Sequence, residues 1–302
     1  MKNKHLLILP LLALGFTACQ KETDTMPGTG SSQKFVAAAS SDNDGAIGVV
    51  PASFTQKALL ENITGATFGK CPDSDYRIGI SQSAYPNRVI CASFHTNDGM
   101  TGSATSELLT FLSGPSAGNV PVAALNRMQI NGNMFNPPST WSSDIGAALS
   151  TSPVCGLSIQ STINNPFLIT ATIHVGFNTS ISANLKMVAY LTENNVTGTG
   201  PGFDQANDFN NDPASPFFNM GNPIMNYTHN NVVRMIITPV DGYAIPSAYL
   251  VKGGHFIQQM LFDVSSTVNI TESYITAFVY NTSTMQIINV QTAKVGTSKS
   301  WD

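Results

Sequence analysis

The fold of this chain is decided by the stretch Leu59-Leu60-Glu61-Asn62-Ile63-Thr64-Gly65-Ala66-Thr67-Phe68-Gly69-Lys70-Cys71-Pro72. Its apolar first half ends at Thr64-Gly65, which is typical of a buried strand that runs into a turn. Pro72 suits the first turn of a helix, because the N–H that proline lacks would have no partner there. We therefore predict a strand over residues 57–63 and a helix from residue 72 to about residue 84.

The pattern continues outward from this stretch as strands that alternate with helices. We predict strands at 88–94 and 120–128 and a helix at 103–112. A further helix is predicted to be capped by Ser139, to run through residue 149 and to pack Trp141 inward. This alternation indicates an α/β domain over residues 50–151.

The pattern changes after Pro153, where short stretches rich in apolar and β-branched residues favour strands. They are residues 156–163, 167–177, 183–191, 232–238, 255–264, 274–280 and 285–292. Short strands separated by turn signals indicate a β-sandwich, which we assign to residues 152–302. The polar insert at 194–226 is predicted to be a loop and is a candidate contact surface. The predicted fold class is therefore α/β plus all-β.

The amino-terminal segment carries an export signal. Lys2 and Lys4 precede an apolar run over residues 6–16, which is too short to span a bilayer and is typical of a signal peptide over residues 1–18. The residues before Cys19 resemble a lipobox, which predicts an acylated cysteine that anchors the chain in the outer membrane. The alternative is an ordinary signal peptide followed by an incidental cysteine. Residues 19–49 are predicted to be the lipidated cysteine and a flexible tether.

Composition excludes some classes of partner. Charged residues make up 11% of the chain, the formal net charge is -4, and no run of Lys or Arg occurs. A nucleic-acid partner is therefore not expected. The predicted membrane attachment is the lipid alone, and the pair Lys21-Glu22 resembles a signal for export to the cell surface. With Cys19 used for the lipid, Cys71, Cys91 and Cys155 can form at most one disulfide within the chain.

The stretch 59–72 resembles the thioredoxin-type motif of the Omp28-related outer-membrane lipoproteins, in which a strand and Thr-Gly precede Cys-x-x-Cys-Pro at the start of a helix. Val120-Pro121-Val122 and Asn126-Arg127 resemble the family's strand after a cis-proline, and residues 227–234 resemble a segment of its second domain. The resemblance implies a thioredoxin-like domain followed by an immunoglobulin-like sandwich, with a cis bond before Pro121. It implies no established activity.

The chain departs from this motif at the position of the attacking thiol. The resemblance assigns the motif to Thr64, Gly65, Phe68, Cys71 and Pro72, so Phe68 replaces the first cysteine. A dithiol reductase needs an attacking thiolate at the start of the helix and a second thiol to resolve the mixed disulfide. We therefore expect no catalytic residue and no cofactor.

Other polar residues are candidates for binding. The resemblance places a second-domain motif at Tyr227, His229, Asn230 and Arg234. No metal site is predicted, because His229 has no second His or carboxylate cluster at metal-ligand spacing. Oxygen-bearing residues that could bind calcium lack the spacing of a known calcium loop, so turn chemistry is expected for them. They are Asp204, Asn207, Asp208, Asn210, Asn211 and Asp212.

Three functions remain open from the sequence. The first is a non-catalytic lipoprotein of the outer membrane or cell surface that binds an unknown protein or glycan. The second is a thiol-active protein that uses Cys71 with a cysteine from elsewhere. The third is a carbohydrate-binding accessory lipoprotein with loop aromatic residues that stack on sugar. The candidate aromatic residues are Phe217, Phe218, Tyr243 and Tyr249.

Overall fold

The first half of the chain alternates strands and helices. A computed structural model describes residues 47–115 and 119–302, so the signal peptide, Cys19 and most of the tether lie outside the described residues. The elements in order are β1 (Ala58–Thr64), α1 (Cys71–Ala84), β2 (Val89–His95), α2 (Ser103–Leu112), β3 (Val122–Leu125), β4 (Phe135–Asn136) and α3 (Trp141–Leu149).

The second half of the chain is built from strands. They are β5 (Cys155–Asn165), β6 (Leu168–Phe177), β7 (Leu185–Glu193), β8 (Val232–Ile236), β9 (Tyr243–Ala244), β10 (His255–Asp263), β11 (Ser273–Asn281), β12 (Ile287–Lys294) and β13 (Ser298–Lys299). The fold is therefore mixed α/β and dominated by sheets. Within the described ranges, no helix is long and apolar enough to cross a membrane.

Strands from both halves of the chain share one sheet. Its nine strands follow the order β12-β11-β7-β8-β2-β1-β3-β4, with β9 paired to β7. β1 and β2 are parallel, whereas β3 runs antiparallel to β1. A second sheet has the order β10-β6-β5-β13. It packs on β7 and β11 through a core that includes Ile159, Ile173, Met187 and Ala277.

The large sheet curls, so that β12 approaches β1. Asn289 Oδ1 accepts a hydrogen bond from Lys57 N at 3.1 Å, and Ile287 N donates to Asn126 O at 2.8 Å. One core on the α2 side accordingly collects side chains from six strands and α2, whereas a third core lies under α1 and α3. The curl leaves a polar opening between β2 and β11.

Two local predictions need correction. Ser139 does not cap α3: it lies in a 3-10 turn, Pro138–Thr140, which runs directly into the helix, and the N-cap residue Thr140 makes no side-chain cap bond. Trp141 packs inward as predicted and is buried. The strand predicted at 120–128 is shorter, because Asn126 and Arg127 adopt positive φ angles of 45° and 51° and leave the ladder. The Val120–Pro121 bond is cis.

Candidate functional site

The turn after β1 holds the residues of the degenerate redox motif. Gly65 lies so close to the carbonyl oxygen of Thr96 that a Cβ at this position would overlap that oxygen. Phe68 O accepts a hydrogen bond from Cys71 N at 3.0 Å, and α1 begins at Cys71 with Pro72 in its first turn. The motif therefore forms a single strand–turn–helix unit.

The thiol of Cys71 is shielded. The residue is 0% exposed, and burial raises the pKa of its thiol to about 12, against the smaller opposing effect of hydrogen bonds from Thr64 and Gly65. Burial also raises the pKa values of Cys91 and Cys155 to about 12. All three thiols are free and buried. A nucleophile needs thiolate and access, and none of these cysteines has them in the folded chain.

A long insert between β7 and β8 lies over this motif. Residues 194–231, which we call the insert, contain no helix or strand, as the sequence predicted for 194–226. Isolated bridges join Val196 to His229 and Gln205 to Ile224, so the insert doubles back on itself.

The insert binds the backbone of the motif. Gln205 Nε2 donates to the carbonyl oxygens of Ala66 at 3.2 Å and Phe68 at 3.1 Å. Asp208 N donates to Gly69 O at 2.9 Å, and a Cβ on Gly69 would overlap the Asp208 carboxylate. The insert therefore covers the turn that precedes Cys71.

The candidate calcium ligands serve the turns of the insert. The Asp204 carboxylate accepts from Gly200 N at 2.9 Å and from Asn226 N at 3.0 Å. Asn207 Nδ2 donates to Phe217 O, and Asp212 Oδ1 accepts from Ala214 N, each at 3.0 Å. Across the residues that the structure covers, no group of three His, Cys, Asp or Glu could hold a metal ion.

A histidine cluster fixes the insert at the end of β2. His95 Nδ1 lies 2.6 Å from Asp98 Oδ2, and the rings of His95 and His229 meet edge to face at 5.3 Å. His229 Nε2 lies 2.8 Å from Phe203 O. Burial lowers the pKa of His229 to about 4, so its ring is neutral at pH 7 and donates an N–H to this carbonyl.

The remaining residues of the second-domain motif do not share one site. Asn230 Oδ1 accepts from Asn195 N at 3.1 Å, which closes the insert. Arg234 Nε donates to Glu193 Oε2 at 2.6 Å, which joins β8 to β7. Tyr227 Oη donates to Asp75 Oδ2 at 3.0 Å, and burial raises the pKa of Asp75 to about 6. Among the four residues of this motif, Tyr227 and Asn230 line a cavity.

Two adjoining cavities form an open groove beside α1. The outer cavity, of about 520 Å³, lies between α1 and the insert, and the inner cavity, of about 300 Å³, lies where the curled sheet brings β2 opposite β11. Gln82, Asn194 and Asn231 line both cavities. These volumes lie in the range of small-molecule sites. We call the pair of cavities the α1 groove.

The aromatic residues predicted to stack on sugar have different environments. Tyr243 and Tyr249 are partly buried and pack against the core between the two sheets. Phe217 lines the outer cavity and meets Tyr76 edge to face at 6.3 Å. Phe218 is 40% exposed. Of these four, only Phe217 belongs to the α1 groove.

Sequence reasoning missed several residues of the site. Asp75 follows Cys71 by one helical turn, a spacing that could have placed its carboxylate near the thiol. No sequence pattern marked Gln205 as a residue of the site, because its contact with the motif depends on how the insert folds back. Thr276 and Thr292 line the inner cavity. The alternation of side chains along a strand predicts which face each of them occupies, but no single segment of the sequence predicts the cavity between β2 and β11.

Comparisons with known proteins agree with this architecture. Over 80% of this chain and 76% of the other, the structure resembles HBP35 of Porphyromonas gingivalis with a TM-score of 0.63 and 23% identity. A structural-genomics target from Agrobacterium tumefaciens matches with a TM-score of 0.50 and 11% identity, over 82% of this chain and 98% of that one. At these identities the likeness establishes the fold alone.

A family model identifies the chain at the level of sequence. No curated protein matches the chain significantly. A domain of the outer membrane lipoprotein Omp28 from Porphyromonas gingivalis is also found, with 13% identity and a TM-score of 0.29 over 50% of this chain and 92% of that domain. The model described as Outer membrane protein Omp28 matches residues 115–299, which is more than half of the chain. The chain belongs to the Omp28 family of outer membrane proteins.

Proposed function

We propose that this chain is a non-catalytic, surface-displayed lipoprotein that binds a partner through the α1 groove. The observation that carries the proposal is the burial of Cys71, the one cysteine of the motif, beneath the insert. A groove lined by amide, hydroxyl and aromatic side chains lies open beside it. The motif thus lacks an attacking thiol, and its remaining cysteine is not accessible to a substrate. The neighbouring surface, in contrast, has the properties of a binding site.

We assign residues 50–151 to a degenerate thioredoxin-like domain. The order β1-α1-β2-α2-β3-β4-α3, with parallel β1 and β2 and antiparallel β3 and β4, supports this assignment. Residues 152–302 are assigned to an immunoglobulin-like sandwich, because their strands form two packed antiparallel layers. On this assignment β8 joins the sandwich to β2 of the thioredoxin-like domain.

We propose that a lipid on Cys19 anchors the chain in the membrane. Family membership indicates the outer membrane, and the residues before Cys19 supply a cleavage and acylation signal. Labelling cells with an alkynyl fatty acid should mark the wild type and miss Cys19→Ala, and equal labelling of both would contradict the anchor.

Protease shaving of intact cells tests surface display, which the pair Lys21-Glu22 supports. Full protection of the protein in intact cells, together with its degradation in lysed cells, would contradict surface display.

The alternative thiol function requires Cys71 to react with a second cysteine. An insulin-reduction assay separates the two hypotheses, because a dithiol reductase makes insulin precipitate. We expect no reduction by the wild type and no change in Cys71→Ser. Reductase activity that Cys71→Ser abolishes would contradict the non-catalytic function and favour the thiol hypothesis.

A further inference from the structure

We infer that the α1 groove binds an uncharged oligosaccharide, an inference that rests on the proposed binding function and names its ligand class. A sugar presents hydroxyls that both donate and accept hydrogen bonds, together with apolar C–H faces. A matching site combines amide and hydroxyl side chains with aromatic surfaces and has little uncompensated charge. The two cavities of the groove have these properties in turn.

The inner cavity is lined by hydroxyls that the sheet register places on one face. Tyr274 and Thr276 are two residues apart on β11, so their side chains point to the same side. Thr192 lies directly opposite Tyr274 on β7, and Thr292 lies directly opposite Thr276 on β12. All four residues line the inner cavity. Four hydroxyl groups from three adjacent strands thus face one space.

The face of β11 that carries these hydroxyls becomes apolar further along the strand. Phe278 and Tyr280 follow Thr276 on the same face of β11 and lie in the core on the α2 side. Thr276 is 1% exposed, and its Oγ1 lies 3.0 Å from Thr292 Oγ1. The two hydroxyls satisfy each other in the free chain, and each keeps an unused acceptor position that a polar ligand can bind.

The charges near the inner cavity are compensated within the protein. Lys57 Nζ donates to both carboxylate oxygens of Asp302 at 2.8 and 2.7 Å and to Gln291 Oε1 at 2.7 Å. Lys299 Nζ lies 3.3 Å from the same carboxylate. Asp75 in the outer cavity adds one acidic group, bound to Tyr227. With both aspartates ionised, the two lysines are balanced, which disfavours a strongly charged ligand.

The outer cavity supplies aromatic surface and open space. Tyr76 on α1 is 45% exposed and stands across from Phe217 of the insert. Gly79, one turn further along α1, also lines this cavity, and a Cβ built on it meets no atom within 4 Å. A sugar ring can therefore pack its C–H face on Tyr76 while Asn230 and Gln82 bind its hydroxyls.

An extended peptide is the alternative ligand for this groove, and the floor of the inner cavity does not favour it. Peptides that add to a sheet need the free N–H and C=O groups of an edge strand. The floor of the inner cavity is the face of β7 and β11, and each of these strands is hydrogen-bonded to a neighbour on both sides. A ligand on this floor therefore meets side chains. The β2 wall is different, because Val89, Ile90 and Cys91 line the cavity and β2 pairs with β8 only at Ser93, so the test below includes extended peptides.

The test uses the full-length lipidated chain in detergent on an array with three kinds of probe. These are neutral gluco-, manno- and xylo-oligosaccharides, acidic oligogalacturonates, and extended peptides. The key variant is Gly79→Phe, which fills the outer cavity, and its control at the same position is Gly79→Ala. Tyr76→Ala removes the aromatic face, and Ile80→Ala, 47% exposed on the same helix and outside the groove, is its control.

We expect binding to a neutral oligosaccharide, at least about tenfold weaker in Gly79→Phe and Tyr76→Ala and unchanged in both controls. Circular dichroism establishes that each variant is folded. Binding to no neutral glycan, preference for oligogalacturonates, or equal binding by Gly79→Phe would overturn the inference. Peptide binding that Gly79→Phe blocks would overturn the ligand class and leave the proposed binding function standing. Reductase activity, in contrast, would contradict the non-catalytic part of the proposed function and would leave the ligand class of the groove standing.

Discussion

Arg127 and Glu61 form a bidentate ion pair in the interior, where both side chains are 0% exposed. Arg127 Nε donates to Glu61 Oε2 at 2.8 Å and Nη2 donates to Oε1 at 2.7 Å. Tyr190 of β7 donates to the same carboxylate at 2.7 Å, and the guanidinium lies 5.0 Å from the ring centre of Phe278 on β11. The pair therefore connects β1 to strands of the second half, across the predicted boundary between domains.

Removing one member of this pair should be strongly destabilising. Arg127→Met leaves the Glu61 carboxylate buried without its cation, and we expect a loss of about 3–5 kcal/mol in the free energy of unfolding. The double variant Glu61→Leu with Arg127→Met should recover much of this loss, because no buried charge remains. Urea unfolding of the two variants and the wild type measures both effects. Equal stability of the single variant and the wild type would contradict the structural role of the pair.

Gln205 should control access to Cys71. Gln205→Ala removes one hydrogen-bond donor from each of the carbonyl oxygens of Ala66 and Phe68, which keep the N–H groups of Ala206 and Cys71 as partners. Each lost hydrogen bond contributes about 0.5–1.5 kcal/mol to holding the insert on the motif. The insert should then open more often, and Cys71 should react faster with a thiol reagent in the folded state. Mass spectrometry of the modified peptide measures this rate. Asn211→Ala, at an exposed position of the same insert, is the matched control, and equal acceleration in both variants would contradict the prediction.

His229 should make the chain less stable in mild acid. Its folded-state pKa is lowered by burial to about 4 from the ordinary 6.5, so between these values the unfolded chain binds more protons. Its contribution is therefore present above about pH 6.5 and is lost as the pH falls toward 4, by about 2–3 kcal/mol in all. His229→Gln should flatten this part of the pH profile of the free energy of unfolding.

The comparison with His229→Gln must be made at each pH against the wild type. Asp75 contributes a slope of opposite sign, because burial raises its pKa to about 6 and its neutral form is favoured in the folded chain. This term is common to both proteins and cancels in their difference. A difference profile without slope between pH 4.5 and 6.5 would contradict the assignment of a neutral, buried His229.

Local signals in the sequence predicted most helices and strands. The strand–turn–helix at residues 59–72 and the helix at 103–112 follow from hydrophobic periodicity and from Pro72, and the structure has both. Ser139 failed as a cap because a 3-10 turn that begins at Pro138 already directs the chain into α3. The capping propensity of serine is real, but it does not show that the neighbouring residues form a 3-10 turn instead.

The candidate site was less predictable, because it depends on contacts between distant segments. Phe68 indicated lost redox chemistry from the sequence alone. The contacts of Gln205 with the motif span 137 residues or more, and the inner cavity requires β2 to face β11. Arg127 was noted only as part of a family resemblance, and its ion pair with Glu61 requires the positive φ that turns the chain after β3. The hydrophobic periodicity of a single segment does not predict contacts between residues that are far apart in the sequence.

Titration of the native thiols tests most directly whether the motif is inert. The Cys19→Ala variant retains Cys71, Cys91 and Cys155. A thiol with a pKa of about 12 is ionised in only about one molecule in ten thousand at pH 8. We expect no rapid reaction with a chromogenic disulfide reagent at pH 8, and reaction of all three thiols after unfolding in urea. One thiol that reacts within seconds in the folded chain, and is lost in Cys71→Ser, would contradict the non-catalytic function.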